Sequence, residues 1–315
     1  MLTQLRTLIV QTPTYLTILT GVLLIGYQYV FGIIPLSAQF VGCLVLLLAS
    51  GIPHGALDHL IEQQRSVHSN QPFSMLFFMV KYLLLIAVYG LGWLVSPVLS
   101  LVVFLVISAW HFGETDLDNV PDTIYWALAR FTAGGLLLAF ILLTHSAEVT
   151  PIVARIVEHD RLAVQVWAFL DTHATTVLIG HTTLLLILVG LASWHRPAFI
   201  GGWRLFRLAV VVVLTYPLPL LPAFILYFCG WHALSSFGTI QTYLKLPAYS
   251  LRSAWVLWGQ AMPLTIAAFV FLAGCTFVWY RYVPTLDPVP CLFVLLSIIT
   301  LPHIRVMHHI NKVVK

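Results

Sequence analysis

Residues 73–95 read FSMLFFMVKYLLLIAVYGLGWLV, and Lys81 is the one charged residue among them. A run of about 20 apolar residues is the length of helix that crosses the roughly 30 Å hydrocarbon core of a bilayer. Comparable runs, bounded by charge, proline or glycine, follow one another along the chain. This repetition predicts a helical protein that crosses the membrane many times.

The composition supports the same prediction. The chain has 315 residues, of which 60% are hydrophobic and 8% are charged, whereas soluble domains carry about 25% charged residues. Each span with its loop uses roughly 30 residues, so the length accommodates about eight to ten spans and leaves no room for a soluble domain. We therefore expect an all-α, polytopic transmembrane helical bundle that forms a single integral-membrane domain over residues 1–315.

Ten candidate spans can be marked on the sequence. The segment 205–244 is ambiguous, because Pro217, Pro219 and Pro222 could either kink one helix or separate two. Residues 160–175 have the pattern of an amphipathic helix on the membrane surface. The ten predicted spans are 14–34, 38–60, 73–95, 98–112, 123–144, 176–194, 205–221, 222–244, 260–281 and 289–310.

The distribution of charge predicts an orientation and excludes one class of partner. The net charge of +4 is spread without a run of like charges, so nucleic acid is not an expected partner. Cytoplasmic loops are enriched in Lys and Arg, which favours ten spans with cytoplasmic N- and C-termini. In that arrangement the inside segments hold Arg6, Arg65, Arg196, Arg204, Arg207, Lys245, Arg252, Lys312 and Lys315, and the outside segments hold Arg155, Arg161 and Arg281.

Histidine is frequent for so apolar a chain, with 13 residues. Ionisable groups at membrane depth are costly, so they usually mark a functional site or pathway. The candidates inside predicted spans are His54, His59, His111, His232, His303 and His308. The histidines in loops or at span ends are expected to be solvated at the surface, and these are His68, His145, His159, His173, His181 and His195.

Four candidates occupy spans that run in the same direction, from outside to inside. His54, His111, His232 and His303 lie on the second, fourth, eighth and tenth predicted spans. Counting about 1.5 Å per residue from the outer end places them roughly 15–24 Å deep, so they could converge at one depth. Neutral imidazoles gathered there suit a ferrous ion. The alternative is that each imidazole only bonds a carbonyl on a neighbouring helix.

Three acidic residues near these histidines are candidates for supporting roles. Asp58 lies one helical turn after His54 and could orient an imidazole on the same helix or on a facing one. Glu114 and Asp116 follow the second candidate histidine at the membrane edge. They are either solvated caps or hydrogen-bond acceptors for a ligand.

Aromatic residues surround the same positions and could line a slot for a long apolar substrate. Positions in the core or facing lipid are the ordinary alternative for aromatic side chains in such a chain. The residues concerned are Trp110, Phe112, Tyr227, Phe228, Trp231 and Phe237.

Four motifs occur in a set order across some 250 residues of the chain. They are Pro53-His54-Gly55-Ala56-Leu57-Asp58, His111-Phe112-Gly113 with Asp116, Tyr227-Phe228-Cys229 leading to His232, and Pro302-His303. Together they resemble the bacteriorhodopsin-related-protein-like (Brp/Blh) family of membrane β-carotene 15,15'-dioxygenases.

The resemblance implies an enzyme that uses non-haem Fe(II) and O2 to split β-carotene, or a related carotenoid, at its central 15,15' double bond. The product would be two molecules of all-trans-retinal. It also implies a multi-pass protein of the bacterial inner (plasma) membrane and a functional link to a retinal-binding rhodopsin.

The resemblance further implies a set of iron ligands. Those carried over by motif are His54, His111 and His232. In the family the third motif usually reads His-x-x-x-His and its second histidine supplies a fourth ligand, but here that position is Ser236. We expect His303 to take the fourth position, with His59 and His308 as further substitutes, and Ser236 to lie beside the ligands.

Other functions stay open from the sequence alone. The chain could cleave another carotenoid, or it could be a non-catalytic accessory protein of the membrane. A membrane di-iron hydroxylase or desaturase would carry several complete HxxxH or HxxHH boxes, and none is complete here. A transporter or a haem-carrying subunit would use two axial histidines on facing helices.

Overall fold

The computed structural model describes residues 2–157, 160–198, 200–246, 251–282 and 288–313, which are helical and contain no strand. Two π-helical segments, Leu47–Gly51 and Leu226–Ala233, join the α-helices on either side of them. The α-helices are α1 (Leu2–Phe31), α2 (Leu36–Leu46), α3 (Ile52–Ala56), α4 (Asp58–His68), α5 (Met75–Val95), α6 (Pro97–Asp116), α7 (Ile124–Thr144), α8 (Ser146–Ile156), α9 (Arg161–Thr172), α10 (Ala174–His195), α11 (Gly202–Thr215), α12 (Leu220–Ile225), α13 (Leu234–Tyr243), α14 (Leu251–Tyr282) and α15 (Pro288–Val313).

Nine helical stretches of the described chain are long and apolar enough to cross a membrane. The prediction of an all-α polytopic bundle with about eight to ten spans is therefore confirmed. The stretches are Thr14–Phe31, Leu36–His68, Met75–Val95, Pro97–Asp116, Ile124–Thr144, Ala174–His195, Leu220–Tyr243, Arg252–Val278 and Pro290–Ile310.

The segment predicted as a span over 205–221 is the shorter helix α11, which has 14 residues. Near its start, Arg204 donates to the carbonyl of Thr115 at 2.7 Å, at the end of α6. Just beyond its end, the Leu218 carbonyl lies 2.8 Å from Nε2 of His145, which follows α7. Since α7 begins after α6 and ends at Thr144, α11 runs between the same two ends of the bundle as α7. The prolines of this segment therefore separate two antiparallel elements.

Side-chain caps define where several helices begin. Ser74 accepts a hydrogen bond from the backbone N–H of Phe77 at the start of α5, and Thr123 accepts one from Trp126 at the start of α7. A hydroxyl at this position satisfies one of the N–H groups that the first helical turn leaves without an intrahelical partner. These caps explain why the predicted starts at 73 and 123 agree closely with the observed helices.

Helices α6 and α7 approach each other through two glycines. A Cβ at Gly113 would collide with the carbonyl of Arg130, and one at Gly134 would collide with the carbonyl of Ala109. Small residues permit this close packing of backbones in a membrane protein. The contact fixes the end of α6, which carries His111, against the rest of the bundle.

The two π-helical segments meet each other in the interior. Ser50, in the first segment, donates to the carbonyl of Cys229 in the second at 3.1 Å. His54 follows the first segment by one turn, and His232 lies inside the second. The π-helical turns thus bring two candidate ligands together, in keeping with the frequent occurrence of such turns at functional sites.

Two short helices, α8 and α9, follow α7. The predicted amphipathic helix over 160–175 is confirmed as α9, which begins with Asp160 accepting from the N–H of Ala163 at 2.9 Å. None of the residues of α9 is buried, whereas α8 buries Val149. The tryptophan Nε1 of Trp167 donates to the hydroxyl of Thr150 at 2.9 Å, which ties α9 to α8.

The prediction that His145 is solvated at the surface is wrong, because its side chain is buried. Its Nδ1 lies 2.7 Å from the carbonyl of Ile141, and its Nε2 lies near the carbonyls of Thr215 and Leu218. The turn after α11 leaves these carbonyls without helical partners, and the prolines there have no N–H to offer. The imidazole supplies the missing donor.

The other surface predictions had mixed outcomes. His181 is half-buried and its Nε2 lies 3.1 Å from the carbonyl of Thr132 on α7, so it packs between helices instead of facing solvent. His68, His173 and His195 are exposed as predicted. His159 lies outside the described residues.

Candidate metal centre

Four buried imidazoles from four separate elements meet in the interior of the bundle. His111 of α6 has its ring centroid 4.7 Å from that of His232 and 5.1 Å from that of His303 on α15. His54 of α3 has its ring centroid 4.8 Å from that of His303 and 5.6 Å from that of His232. The structure therefore brings together all four histidines that the sequence analysis selected as ligands.

The ring nitrogens are close enough for a shared ion. His54, His111 and His303 each offer a nitrogen atom within 4.8 Å of the others. Nε2 of His232 lies 3.1 Å from Nε2 of His111. That separation suits either a hydrogen bond between the two rings or two nitrogens directed at one ion.

Hydrogen bonds to two of the rings leave their Nε2 atoms available. Nδ1 of His303 donates to the carboxylate of Asp58, at 2.9 Å from Oδ1 and 3.1 Å from Oδ2. Nδ1 of His54 contacts the carbonyl of Gly51. Both oxygens can only accept, so the proton is on Nδ1 and a lone pair is on Nε2. A carboxylate behind a histidine is the arrangement that orients metal ligands.

Three of the buried ring nitrogens have no hydrogen-bond partner among the described residues, namely Nδ1 of His111, Nδ1 of His232 and Nε2 of His303. Leaving a buried polar atom unpaired costs roughly 1–3 kcal/mol. A divalent ion would satisfy such atoms, and imidazole suits iron, zinc, copper and nickel. The donor set therefore fits a transition metal, and it includes no thiolate that would favour a softer site.

Ser236 lies one turn after His232, on α13, and is buried. Its hydroxyl donates to the backbone carbonyl of His232 at 2.9 Å. The side chain therefore supports the backbone that carries the third histidine. This contact engages the hydroxyl where the family pattern has an imidazole.

Asp58 is itself held in place by a residue that the sequence analysis missed. The hydroxyl of Tyr82 on α5 donates to Oδ2 of Asp58 at 3.0 Å. Tyr82 lies in an apolar run 24 residues from Asp58, and no local spacing connects the two positions. A tyrosine within an otherwise apolar span was the one available signal.

The other two acidic residues have different partners. Asp116 accepts from Nε1 of Trp231 at 2.9 Å and from the hydroxyl of Tyr227 at 3.0 Å, so it holds two aromatic rings beside the π-helical segment of His232. Glu114 accepts from Nδ1 of His308 at 2.6 Å. Both carboxylates are buried, which rules out the alternative that they are solvated caps.

An apolar cavity of about 870 Å³ reaches the four-histidine cluster. His54, His111 and His303 lie in its wall, as do three of the aromatic residues predicted for a substrate slot, Phe112, Tyr227 and Phe228. His232 packs behind two of these rings, with its centroid 4.8 Å from that of Phe112 and 5.9 Å from that of Phe228.

Two of the predicted slot residues are not in the described cavity wall. Trp231 is turned toward Asp116 through its indole N–H, and the guanidinium of Arg204 lies 5.5 Å from its ring centroid. Trp110 packs beside His308, with ring centroids 6.0 Å apart. Their assignment to the slot is corrected, because polar partners direct both indoles away from the cavity.

Two remaining histidines of the predicted set are engaged elsewhere. His59 is half-buried, and its Nδ1 lies 2.9 Å from the carbonyl of Ala56. His308 is bonded to Glu114. Neither ring is among the four that converge.

Comparison with known proteins places the chain in a family. Residues 45–311 match the family model described as Beta-carotene 15,15'-dioxygenase. The chain is 25% identical over 279 residues to the beta-carotene 15,15'-dioxygenase of uncultured marine bacterium 66A03, covering 85% of this chain and 93% of that protein. It is 26% identical over 308 residues to the probable beta-carotene 15,15'-dioxygenase Blh of Halobacterium salinarum, covering 88% and 86%.

No solved structure matches the chain. The family model covers most of the sequence, including every residue of the four-histidine cluster and the cavity wall around it. The chain therefore belongs to the beta-carotene 15,15'-dioxygenase family.

Proposed function

We propose that this protein is an iron-dependent dioxygenase that cleaves β-carotene at its central 15,15' double bond with O2, giving two molecules of all-trans-retinal. The observation that carries the proposal is the convergence of four buried imidazoles at an apolar cavity. The names of the two relatives supply the reaction. The cavity has the lining that a long hydrocarbon requires, since lipophilic ligands are bound mainly by apolar and aromatic side chains.

The ligands in this proposal are His54, His111, His232 and His303. Bound there, Fe(II) would supply a position for O2 and the electrons that activate it. Asp58 and Tyr82 hold the ring of His303 in its orientation through their hydrogen bonds. Because imidazoles are neutral ligands, the nearby carboxylate also offsets part of the positive charge of the ion.

The reaction explains why the cavity can be so apolar. One oxygen atom of O2 ends on each of the two carbons of the broken double bond, so the products are two aldehydes and no net proton is taken up or released. The step therefore needs positioning more than acid–base catalysis. Phe112, Tyr227 and Phe228 lie in the wall beside the histidines and would select which double bond of the polyene lies there.

The geometry opposes two of the alternatives left open by the sequence. Ring centroids 4.7–5.6 Å apart leave no space for a porphyrin between two of these histidines. A di-iron centre would need further imidazoles, and His59 and His308 are bonded elsewhere. A carotenoid-cleaving variant with another substrate differs only in the products and is distinguished by the test below.

We further propose that the protein lies in the inner (plasma) membrane with both termini in the cytoplasm. The retinal it releases into the bilayer would then be available to a retinal-binding rhodopsin in the same membrane. The multiple apolar helices and the apolar cavity support a lipid environment for substrate and product.

The test is to express the chain in bacteria that accumulate β-carotene and to analyse the pigments by chromatography. We expect retinal from the wild type, none from His111→Ala, and wild-type yield from the matched control His195→Ala, whose ring is exposed. Apocarotenals longer than retinal would overturn central cleavage and favour the variant with another substrate. Unchanged β-carotene with iron-loaded protein would contradict the proposed activity and favour the accessory role.

A further inference from the structure

The helices α8 and α9 cover one end of the cavity with apolar stripes. On α8 the stripe consists of Val149, Ile152, Val153 and Ile156, and on α9 it consists of Leu162, Ala163, Val166, Trp167 and Leu170. These residues recur at helical spacing, so each helix turns one face to the cavity. The cavity face of α9 is thus the apolar face of an amphipathic helix, which ordinarily would be buried against protein or lipid.

The stripe on α9 is also accessible from outside the protein. Leu162 is 70% exposed and Val166 is 50% exposed, although both lie in the cavity wall. A side chain has both properties only where the cavity reaches the surface. Asp160 marks the rim of this opening, because it is exposed and also lines the cavity.

The opening is connected to the histidines along α6. The residues of α6 that line the cavity extend from Val98 at its first turn to His111. This distance corresponds to about 20 Å of helix at 1.5 Å per residue. The helices α8 and α9 follow the end of α7, which lies beside the beginning of α6. The cavity therefore runs from an opening near one membrane surface to the ligands deep in the bundle.

We propose that α8 and α9 form the portal through which a long, unbranched apolar polyene passes from the bilayer to the histidines. The inference rests on the proposed function for the identity of the substrate. The rod enters from the membrane surface opposite the chain termini, slides past the apolar stripe of α9 and reaches the centre along α6. The hydrogen bond between Trp167 and Thr150 holds α9 at the edge of the opening.

Exposed lining residues occur at two other places, so the proposal has structural rivals. Leu83 on α5 and Val102 on α6 lie in the cavity wall and are more than half exposed or half exposed. Phe271 on α14 has the same properties. On α9, however, the exposed lining positions form a continuous stripe on a helix with no buried residue.

The test compares two substitutions on α9 in protein reconstituted with β-carotene-containing vesicles. Val166→Trp fills the opening, whereas Val164→Trp adds the same bulk on the same helix at a position that is 44% exposed and outside the described cavity wall. Two readouts are used: transfer of pigment from vesicles to the protein, followed by absorbance, and the kinetics of retinal formation.

We expect Val166→Trp to slow pigment transfer and to lower kcat/KM by about tenfold, a barrier change near 1.4 kcal/mol, with kcat and metal content unchanged. Val164→Trp should behave as wild type. A loss confined to access lowers kcat/KM without affecting the bound complex. The portal is overturned if Val166→Trp transfers pigment at the wild-type rate, if Val164→Trp has the same defect, or if Val102→Trp alone blocks transfer.

The two proposals fail in different ways. Slow pigment transfer in Val166→Trp without retinal from any variant would support the portal and contradict the dioxygenase activity. Normal retinal formation in Val166→Trp, together with its loss in His111→Ala, would support the activity and contradict the portal.

Discussion

Position 236 is where the chain departs from the His-x-x-x-His pattern, and the structure shows what serine does there. The hydroxyl of Ser236 is bonded to the carbonyl of His232, while His303 joins the other three rings from α15. The fourth imidazole therefore comes from a different helix from the one that the family pattern uses. This exchange accounts for a four-histidine cluster in a chain that lacks the second histidine of the motif.

The exchange predicts opposite effects at the two positions. Ser236→Ala should keep its metal, because only a backbone hydrogen bond worth about 1 kcal/mol is lost. His303→Ala should lower metal affinity by about tenfold or more. Metal content of purified protein after dialysis against a chelator measures both. Equal retention of metal in the two variants would exclude His303 as a ligand, and loss in Ser236→Ala would show that the hydroxyl binds the ion.

At the same scale, the sequence predicted which histidines converge better than it predicted single contacts. His54, His111, His232 and His303 could be selected because their spans run in one direction. The burial of His145 could not be predicted, because its carbonyl partners lie in a turn 70 and 73 residues away. The direction of an indole such as that of Trp231 likewise depends on Asp116, 115 residues distant.

At the scale of helices, the closest packing in the described chain lies between α6 and α7. It depends on Gly113 and Gly134, whose missing side chains leave room for carbonyls of the facing helix. Any side chain there must push the helices apart. Because α6 also carries His111, the distance between these helices affects the metal centre directly.

We expect Gly113→Ala to destabilise the protein by roughly 1–3 kcal/mol, as overpacking in a well-packed interior does, and to lower its metal content. Gly180→Ala is the matched control, because that helical glycine on α10 has open space around it. Thermal unfolding in detergent, followed by circular dichroism, measures the difference. Equal Tm values for the two variants would show that α6 and α7 tolerate separation.

Helix boundaries were predictable where a local signal exists. The caps Ser74 and Thr123 lie at the predicted starts of their helices. The division of the 205–244 segment was not decided by its prolines alone. It became clear through contacts of Arg204 and His145 with distant helices, which place the two ends of α11 at opposite ends of the bundle. Such long-range contacts have no signature in a short window of sequence.

At the scale of the whole molecule, the path of α11 determines on which side the chain ends. The nine long stretches alone would leave the two termini on opposite sides of the membrane. With α11 as a tenth traverse, both termini lie on one side. The surplus of Lys and Arg in the segments on that side identifies it as cytoplasmic.

Reporter fusions can check this topology. We expect green fluorescent protein at the C-terminus to fluoresce and alkaline phosphatase at the same position to be inactive. Phosphatase inserted at the turn that contains His173, between α9 and α10, should be active. Phosphatase activity at the C-terminus would mean an odd number of crossings and would show that α11 does not traverse the membrane.

The hydrogen bond between Asp58 and His303 joins positions 245 residues apart. His303 lies on the last helix, so a ribosome must finish almost the whole chain before the fourth ring can reach the other three. Any ion acquired earlier would be held by an incomplete set of ligands. Cofactor loading is thus a late event in biogenesis, and chains that end prematurely would leave the insertion machinery without a stably bound metal.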